Sequence, residues 1–341
     1  MTSASTSDRP PPAPLVVVLV NYCTPDLTLD CLRSLEPELS AFPGAYAIVS
    51  DNASPDGSGA EIASAIAANG WSGWAQVLHL PRNGGFSYGN NAAIRKAFAA
   101  ELPPRFVWLL NTDTIVRPGA LRPLLAFLEE TPEAGLVGSR LEHPDGTRQE
   151  SAFRFHSIAG EFEAALQIGI ISRLLKRWIV APPLPDQPAR FDWLSGASLM
   201  IRSSVLETVG LLDEDYFLYY EETDLCRRAA RYGWSCWYVP ESRIVHLVGR
   251  STGVTNSADA TKRRAPYWFA SRRRYFISHH GLAKAVLADA ALATGTALSM
   301  LRNTLLRRRP SHPERFLPDL IRHSALLNPS IASADPGRGG T

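Results

Sequence analysis

Asn111, Thr112 and Asp113 interrupt an apolar run, "WLLNTDTIV" at residues 108–116. A carboxylate at the end of a buried strand is a ligand for Mg²⁺ or Mn²⁺, ions that take one or two protein carboxylates and complete their shell with phosphates and water. Such an ion would act as a Lewis acid toward a departing diphosphate. The alternative is an Asx turn that closes the loop before Pro118. Asn111 stands where a paired-carboxylate motif would have a second acid, so this is a weakened form of that motif.

Three acids crowd the segment "YYEETDLCRRAA" (219–230), namely Glu221, Glu222 and Asp224. One of them could act as a general base that removes the proton of an acceptor hydroxyl. Two structural explanations compete with this reading. The dipole of a helix favours acids at its N-terminus by about 0.3–1 kcal/mol each, and Asp224 could pair with Arg228 one turn later.

Two further motifs contain candidate ligand-binding residues. The stretch "RNGGFSYGNNAA" (82–93) would let the backbone approach a ligand closely, and a helix N-terminus after it would favour an anion. The alternative is an ordinary loop between a strand and a helix. This stretch is neither a Walker loop nor a dinucleotide-binding fingerprint. His246, in "IVHLVGRSTG", is either a hydrogen-bonded core residue or a metal ligand through its neutral imidazole.

These residues need a scaffold that brings them together, and the hydrophobic pattern predicts one. Strand-like stretches alternate with helix-like stretches, and strands are predicted at 15–20, 45–50, 75–80, 105–110 and 135–141. Thr24 and Pro25 are the predicted N-cap and first residue of the first helix. The alternation indicates an α/β fold, with a parallel sheet and helices on both of its faces.

Polar residues follow several of these predicted strands at the point where each strand ends. Asn21 and Tyr22 follow the first strand, Asp51 lies just past the second, and Asp113 lies just past the fourth. Ligands of such sheets bind beyond the carboxyl ends of the strands. The sequence therefore predicts a binding site on one rim of the sheet.

Composition limits the classes of protein to consider. The 341 residues carry a net charge of +2 and 45% of them are hydrophobic, which is typical of a globular protein and not of a disordered chain or a nucleic-acid binder. The four cysteines lack a CxxC spacing and are interpreted as buried reduced thiols of a cytoplasmic protein. Lys284 and Asp289 lie in the Ala-rich stretch 282–301, which favours a soluble or interfacial helix over a membrane span.

Taken together, these motifs resemble those of glycosyltransferase family 2, and in particular of its bacterial rhamnosyltransferases. The similar stretches occur in the family's order and spacing, and they are "VVVLVNY", "VSDNASPDGS", "LPRNGGFSYGNNAA", "LLNTDTIVRPGAL", "WLSGASLMIRSSVLETVGLLDEDYFLYYEETDLCRRA" and "HLVGRST". The resemblance implies a GT-A (nucleotide-diphospho-sugar transferase) fold. In that fold a mostly parallel central sheet is flanked by helices, and here a helical basic extension follows it.

The resemblance, which covers roughly residues 15–253, and the composition of the rest predict how the chain is divided. The expected parts are a disordered leader (1–14), a GT-A catalytic domain (15–253) with a donor half (15–141) and an acceptor half (142–253), a helical basic region (254–330) and a disordered tail (331–341).

Site residues are implied in the same way. Asp113 and His246 would hold Mg²⁺ or Mn²⁺, with Asn111 in place of the first acid of the family's DxD motif. The residues expected to bind the donor nucleotide are Asn21, Tyr22, Asp51, Gly85, Asn90, Asn111 and Asp113.

Three acids compete for the role of base. Glu222 aligns with the family's usual base, and Glu221 and Asp224 are its rivals. The residues expected beside the acceptor or the transferred sugar are Trp193, Gly196 and Tyr219.

The implied reaction is an inverting transfer of a sugar from a nucleoside-diphosphate sugar to a hydroxyl of a cell-envelope glycan or lipid-linked acceptor. For the donor, dTDP-rhamnose is the expectation that the family gives. Basic runs at Arg272–Arg274 and Arg307–Arg309 could rest on anionic lipid headgroups at the inner face of the plasma membrane. The rival functions are a non-catalytic nucleotide-sugar-binding scaffold or sensor and a nucleotidyltransferase.

Overall fold

A computed structural model describes residues 15–247, 262–308 and 312–331. The predicted leader, the predicted boundary between residues 253 and 254, and the predicted tail beyond Ile331 lie outside these ranges. Arg309 lies outside them as well.

The described residues form eleven strands, and nine of these make one sheet. The strands are β1 (Leu15–Asn21), β2 (Tyr46–Asp51), β3 (Ala75–His79), β4 (Phe106–Leu110), β5 (Thr114–Val116), β6 (Ala134–Glu142), β7 (Ala152–Phe153), β8 (Ala189–Phe191), β9 (Trp193–Leu194), β10 (Ser198–Arg202) and β11 (Ser235–His246). The sheet order is β3–β2–β1–β4–β10–β6–β11–β5, with β8 also paired to β11, while β7 and β9 form a separate pair.

The sheet is parallel through β3, β2, β1 and β4, as predicted. Beyond β4 it is mixed, because β10 runs antiparallel to both β4 and β6. Ser198 at the start of β10 pairs with Leu110 at the end of β4. The loop that leads into β10 therefore lies at the rim where the sequence predicted a binding site. The unpredicted strand β5 follows Asp113 directly and pairs antiparallel with β11.

Helices cover both faces of the sheet and form the C-terminal region. They are α1 (Pro25–Ser40), α2 (Ser58–Ala68), α3 (Gly85–Phe98), α4 (Leu121–Glu130), α5 (Ile158–Leu166), α6 (Gly169–Leu174), α7 (Ser203–Val209), α8 (Glu221–Arg231), α9 (Pro266–His280), α10 (Leu282–Leu305) and α11 (Phe316–Arg322). Thr24 occupies the N-cap position of α1, but its side chain makes no cap hydrogen bond. Its hydroxyl donates to Asn21 Oδ1 instead (3.1 Å), because the loop after β1 is organised around that amide.

Strand β4 lies at the centre of the core and is buried along its whole length. Trp108 has no exposed surface, and its indole N–H donates to Ser198 Oγ at 3.0 Å. A strand packed on both faces presents the residues after it at a fixed position. Three of the four cysteines are buried thiols, as predicted, whereas Cys23 is exposed because it lies in the loop after β1.

The arginines of α9 lie inside the protein and not on a lipid-facing surface. Arg272 and Arg273 are only 2% and 7% exposed, and Arg274 pairs with Asp213 (2.8 Å) and Asp215 (2.9 Å). The prediction that Arg272–Arg274 rest on lipid headgroups is therefore wrong, because these side chains make contacts within the fold.

Helix α9 also contributes to an aromatic cluster next to the acid-rich helix α8. Tyr275 and Phe276 of α9 are buried with Tyr216 and Tyr220 from the segment before α8. The Ser271 hydroxyl of α9 donates to the Leu218 carbonyl oxygen of the same segment (3.0 Å). The helical region is thus packed against the elements that hold the predicted base.

Candidate active site

The predicted donor residues of the first two strands meet at the rim. The Asn21 amide, which has no exposed surface, donates to Asp51 Oδ1 (2.8 Å) and to Ser58 Oγ (3.0 Å). Asp51 Oδ1 also accepts the Ser54 hydroxyl at 2.5 Å. These bonds shape the loops, while Tyr22 beside them is exposed and available to a ligand. That these residues contact a nucleotide stays a prediction.

The glycine-rich loop contacts the segment before α8. Gly85 has φ +82°, and a Cβ there would lie 2.0 Å from the Phe217 carbonyl oxygen, so only glycine fits. The Phe86 N–H donates to the same oxygen (2.8 Å), and Asn52 Nδ2 donates to the Gly85 carbonyl (2.9 Å). Asn90 is almost fully buried one turn into α3 and bonds the Phe86 carbonyl oxygen. Donor contacts by Gly85 and Asn90 stay predictions.

The two predicted metal ligands face each other. His246 Nε2 lies 3.5 Å from Asp113 Oδ1. The pairing of β5 with β11 sets this position, since Thr114 pairs with His246 and the Leu247 N–H donates to the Asp113 carbonyl oxygen (2.8 Å). The sequence places these residues more than a hundred positions apart, and the sheet brings them together.

Hydrogen bonds of Gln149 determine which ring nitrogen of His246 faces Asp113. Its Nε2 donates to the carbonyl oxygens of His246 (2.7 Å) and Glu142 (3.0 Å), so its Oε1 is the atom beside His246 Nδ1 (3.2 Å). Nδ1 is therefore the nitrogen that donates to Gln149, and Nε2 is the nitrogen that faces the Asp113 carboxylate. An imidazole nitrogen and a carboxylate oxygen in this arrangement suit a divalent cation, with Gln149 orienting the imidazole.

The residues present fit a metal ion whose ligands come partly from the protein and partly from a substrate. No group of three or more His, Cys, Asp or Glu side chains that could hold a metal occurs within residues 15–247, 262–308 and 312–331. Asp113 and His246 would supply two ligands, and phosphate oxygens and water would supply the others.

The loop at Gly196 joins the metal rim to the acid-rich helix. The Gly196 N–H donates to Glu222 Oε1 (3.4 Å), and the neighbouring Ala197 carbonyl oxygen accepts the Asn111 N–H (3.1 Å). A Cβ on Gly196 would lie 3.4 Å from the Phe86 ring and 3.6 Å from Glu222 Oε1. The glycine-rich loop, the end of β4 and the start of α8 therefore converge on one short loop.

The environment of Glu222 suits a base. Burial raises the pKa of Glu222, and the amide of Gly196 and the charge of His156 oppose that rise only in part. Burial, then the negative charge of Glu222, holds the pKa of Glu221 well above its usual range. Among the described residues, neither Glu221 Oε2 nor Glu222 Oε2 has a hydrogen-bond partner. A carboxylate with a raised pKa accepts a proton more readily.

The carboxylate of Asp224, in contrast, pairs with cationic side chains and holds two helices together. It accepts hydrogen bonds from Arg228 Nε (2.7 Å), as the sequence suggested, and lies 2.7 Å from His279 Nε2 of α9. Burial would raise the pKa of Asp224, but the bonds from His279 and Arg228 outweigh it and lower the pKa. We therefore remove Asp224 from the candidate bases, because its carboxylate is held as an ion pair between α8 and α9.

Two of the residues that were predicted beside the acceptor or the transferred sugar are aromatic. Trp193 is partly exposed and stacks on Phe153 with ring centroids 4.1 Å apart. Tyr219 is partly exposed and stacks on Tyr267 of α9 (6.2 Å), with φ +71° at the entry to α8. Both have faces of the kind that bind sugars, and their contact with an acceptor stays a prediction.

His156, which the sequence analysis did not single out, is a further candidate for the site, because its charge lowers the pKa of Glu222. Its ring lies 6.0 Å from that of Trp193 and 4.9 Å from that of Tyr220, and its Nδ1 is 3.0 Å from Glu161 Oε1. It directly precedes Ser157, the N-cap of α5. That cap was the available signal for where the histidine lies, but its approach to Glu222 depends on long-range packing.

Comparison with known proteins agrees with this geometry. Residues 11–276 match the family model described as "Glycosyltransferase like family 2". An N-acetylglucosaminyl-diphospho-decaprenol L-rhamnosyltransferase of Mycobacterium tuberculosis is 31% identical over 214 residues, which are 60% of this chain and 66% of that protein. The rhamnosyltransferase WbbL of Escherichia coli is 24% identical over 165 residues, 48% of this chain and 60% of that protein. The chain thus covers slightly less than two thirds of these relatives.

Solved structures confirm the GT-A fold. The mannosyltransferase PcManGT from Pyrobaculum calidifontis, in complex with GDP-Man and Mn²⁺, superposes with a TM-score of 0.52 at 15% identity and covers 92% of this chain and 81% of its own. GalNAc-T7 with UDP, GalNAc and Mn²⁺ gives a TM-score of 0.52 at 16% identity, over 77% of this chain and 51% of its own. With both the predicted motifs and the predicted fold confirmed, the chain belongs to glycosyltransferase family 2.

Proposed function

We propose that this protein is a metal-dependent inverting glycosyltransferase, which moves a sugar from a nucleoside-diphosphate donor to an acceptor hydroxyl. The observation that carries the proposal is the loop at Gly196, whose amide meets Glu222 while the next carbonyl meets the Asn111 backbone. The carboxylate of Glu222, whose pKa is raised by burial, and the rim with Asp113 and His246 therefore contact the same loop.

The residues of the rim would hold the donor. Asp113 and His246 would bind Mg²⁺ or Mn²⁺ together with the donor diphosphate. Two structural neighbours, which were solved with a nucleotide and Mn²⁺, support this role. The ion would neutralise the negative charge that develops on the leaving diphosphate. Because Gly85 has no side chain, the backbone of its loop can come close to the rim.

Glu222 would act on the acceptor. Its carboxylate takes the proton of the acceptor hydroxyl as that oxygen attacks the anomeric carbon from the face opposite the diphosphate. One carbon–oxygen bond forms while the bond to the diphosphate breaks, and the diphosphate leaves with the electron pair. The configuration at the anomeric carbon is inverted because there is a single displacement.

The sugar and the acceptor are proposed from the relatives. Two relatives are rhamnosyltransferases, and the name of one of them includes N-acetylglucosaminyl-diphospho-decaprenol. We therefore propose rhamnose as the sugar, dTDP-rhamnose as the donor and a lipid-linked or polysaccharide glycan as the acceptor. Such an acceptor would place the protein in the cytoplasm, at the inner face of the plasma membrane.

The test combines donor binding with transfer. Purified protein is supplied with dTDP-rhamnose, Mn²⁺ and a detergent-solubilised polyprenyl-diphosphate acceptor, and product is measured by mass spectrometry. Glu222→Gln is expected to keep donor binding and to lose transfer by about 10²–10⁴-fold, the usual contribution of a general base. Asp113→Ala is expected to lose the Mn²⁺-dependent part of donor binding.

Two exposed acids provide matched controls. Glu207→Gln and Asp145→Ala change exposed carboxyl groups outside the site and are expected to keep full transfer. Transfer by Glu222→Gln within a factor of two of the unmodified protein would remove Glu222 as the base. If the unmodified protein binds nucleotide sugars but transfers none of them, the rival function as a sensor replaces this proposal.

A further inference from the structure

Helix α10 buries one face and leaves an aliphatic face exposed. Leu298, Leu301 and Leu305 are 45%, 56% and 74% exposed, and their spacing of three and four residues places them on one side of the helix. Leu287 and Ala290 continue the same side toward the N-terminus, and both are exposed. A surface helix of a globular protein usually has polar residues on its outer face, so this stripe needs an explanation.

The segment after α11 extends the apolar surface. A groove of about 180 Å³ lies between α10 and α11, and its aliphatic lining residues are Val286, Ala290, Ala293, Leu320, Ile321 and Leu326. Leu326 and Leu327 are themselves 70% and 62% exposed. Contiguous exposed apolar surface of this kind is typical of a binding face.

The exposed charged residues of α10 and of the turn directly after it have one sign. Residues 282–308 contain one acid, Asp289, which is buried, and their bases are Lys284, Arg302, Arg307 and Arg308. Arg307 and Arg308 are exposed directly beyond the end of α10. Leucines beside arginines are the combination that favours the interface of an anionic bilayer.

The buried side of α10 makes contacts that a membrane-spanning helix would not keep. Among the described helices, α10 is the one with the length and hydropathy of a span. However, Asp289 is ion-paired with the buried Arg272 and accepts the Ala325 N–H (2.7 Å). A Cβ at Gly295 would lie 2.8 Å from Ala165 of α5. A spanning arrangement would break these contacts, whereas docking of the outer face preserves them.

We propose that the outer face of α10, with the segment after α11, is a docking surface for an anionic membrane. Its leucines enter the acyl boundary and Arg307 and Arg308 contact the headgroups. This surface deepens the proposed function, on whose lipid-linked acceptor its purpose rests, and it replaces the buried Arg272–Arg274 as the membrane-facing part of the chain.

The experiment measures binding of the full chain to vesicles by flotation. The vesicles are phosphatidylcholine alone or phosphatidylcholine mixed with phosphatidylglycerol. The triple variant Leu298→Glu, Leu301→Glu, Leu305→Glu is expected to bind the mixed vesicles at least about tenfold more weakly, because three leucines that enter the acyl boundary are lost. The double variant Arg307→Gln, Arg308→Gln is expected to lose about fivefold per arginine on mixed vesicles and to be unchanged on neutral ones.

The control variant changes exposed apolar residues elsewhere. Leu102→Glu with Tyr232→Glu is expected to bind like the unmodified protein, since these residues, 71% and 66% exposed, lie in the loop before β4 and at the end of α8. All substituted residues are exposed, so thermal unfolding should show each variant folded.

Three results would overturn the docking surface. The first is failure of the unmodified protein to bind mixed vesicles, and the second is that the triple leucine variant binds them as well as the unmodified protein does. The third is a dimer of the unmodified protein in analytical ultracentrifugation that the triple leucine variant does not form, which would mean that a second copy covers the stripe. Because the measurement does not use catalysis, any of them would leave the proposed transfer reaction unaffected.

Discussion

At the scale of single residues, three neighbouring acids with the same chemistry have different environments. Glu222 meets the Gly196 amide, Asp224 is held by Arg228 and His279, and Glu221 is buried beside Glu222. Their order in the sequence does not distinguish them. The contacts of each carboxyl group indicate which one can accept a proton.

The raised pKa of Glu221 predicts a dependence of stability on pH. The unfolded chain has a glutamate pKa of about 4.3, and the folded pKa lies above it. Proton binding therefore stabilises the folded state below the unfolded pKa, and this contribution is lost as pH rises toward the folded pKa. Glu221→Gln should thus be more stable than the unmodified protein at about pH 8, with a smaller difference at about pH 4.

Urea unfolding at several pH values measures this effect. Each tenfold difference in proton affinity between the folded and unfolded states is worth about 1.4 kcal/mol. Glu207→Gln, at an exposed position of α7, is the control and should follow the unmodified protein at every pH. A Glu221→Gln variant with no pH-dependent gain would show that this carboxyl is ionised without cost in the fold.

At the scale of elements, the site depends on loops that approach one another closely. The glycine-rich loop before α3 bonds the segment before α8 through the Phe217 carbonyl oxygen. The loop before β10 then contacts both Phe86 and Glu222. Antiparallel insertion of β10 between β4 and β6 places that loop at the rim formed by the ends of β1, β2 and β4.

Gly85→Ala tests this contact. Because its Cβ would lie 2.0 Å from the Phe217 carbonyl oxygen at φ +82°, the loops must separate or strain. A strained non-glycine residue costs about 1–3 kcal/mol, and we expect at least that loss in the free energy of unfolding together with a fall in transfer. Gly73→Ala, where a Cβ has nothing within 4 Å, should change both far less. Equal behaviour of the two variants would contradict the role of this contact.

At the scale of the whole molecule, the C-terminal helices are part of the structure that supports the site. Arg272 of α9 bonds Glu161 of α5 (2.8 Å) and pairs with Asp289 of α10. Removing the region from Lys262 onward would expose the aromatic cluster at Tyr216 and Tyr220. Membrane binding is therefore better tested with surface substitutions than with a truncated chain.

Arg272→Met should reveal how strongly these helices are coupled. It leaves the carboxylates of Glu161 and Asp289 without their shared cation, and breaking a buried ion pair typically costs about 3–5 kcal/mol. Arg264→Met, at an exposed position just before α9, should cost about 1 kcal/mol or less. Chemical denaturation compares the two variants, and a similar small loss in both would mean that the buried network contributes little stability.

The sequence by itself determined the scaffold and the candidate groups. Continuous apolar runs such as "LVVVLV" at residues 15–20 predict buried strands, because a strand covered on both faces must be apolar throughout. Polar residues at strand ends, among them Asn21 and Asp51, predict the rim. These signals are local or periodic, so a single sequence contains them.

Only the tertiary structure decided which of these groups meet. The approach of His246 to Asp113 depends on the pairing of β11 with β5, and the neighbourhood of Glu222 depends on the loop before β10. The interior position of Arg272 follows from acids on α5 and α10, so a basic run in the sequence could not reveal it. Contacts between distant segments depend on packing and pairing, which the spacing of residues along one chain does not specify.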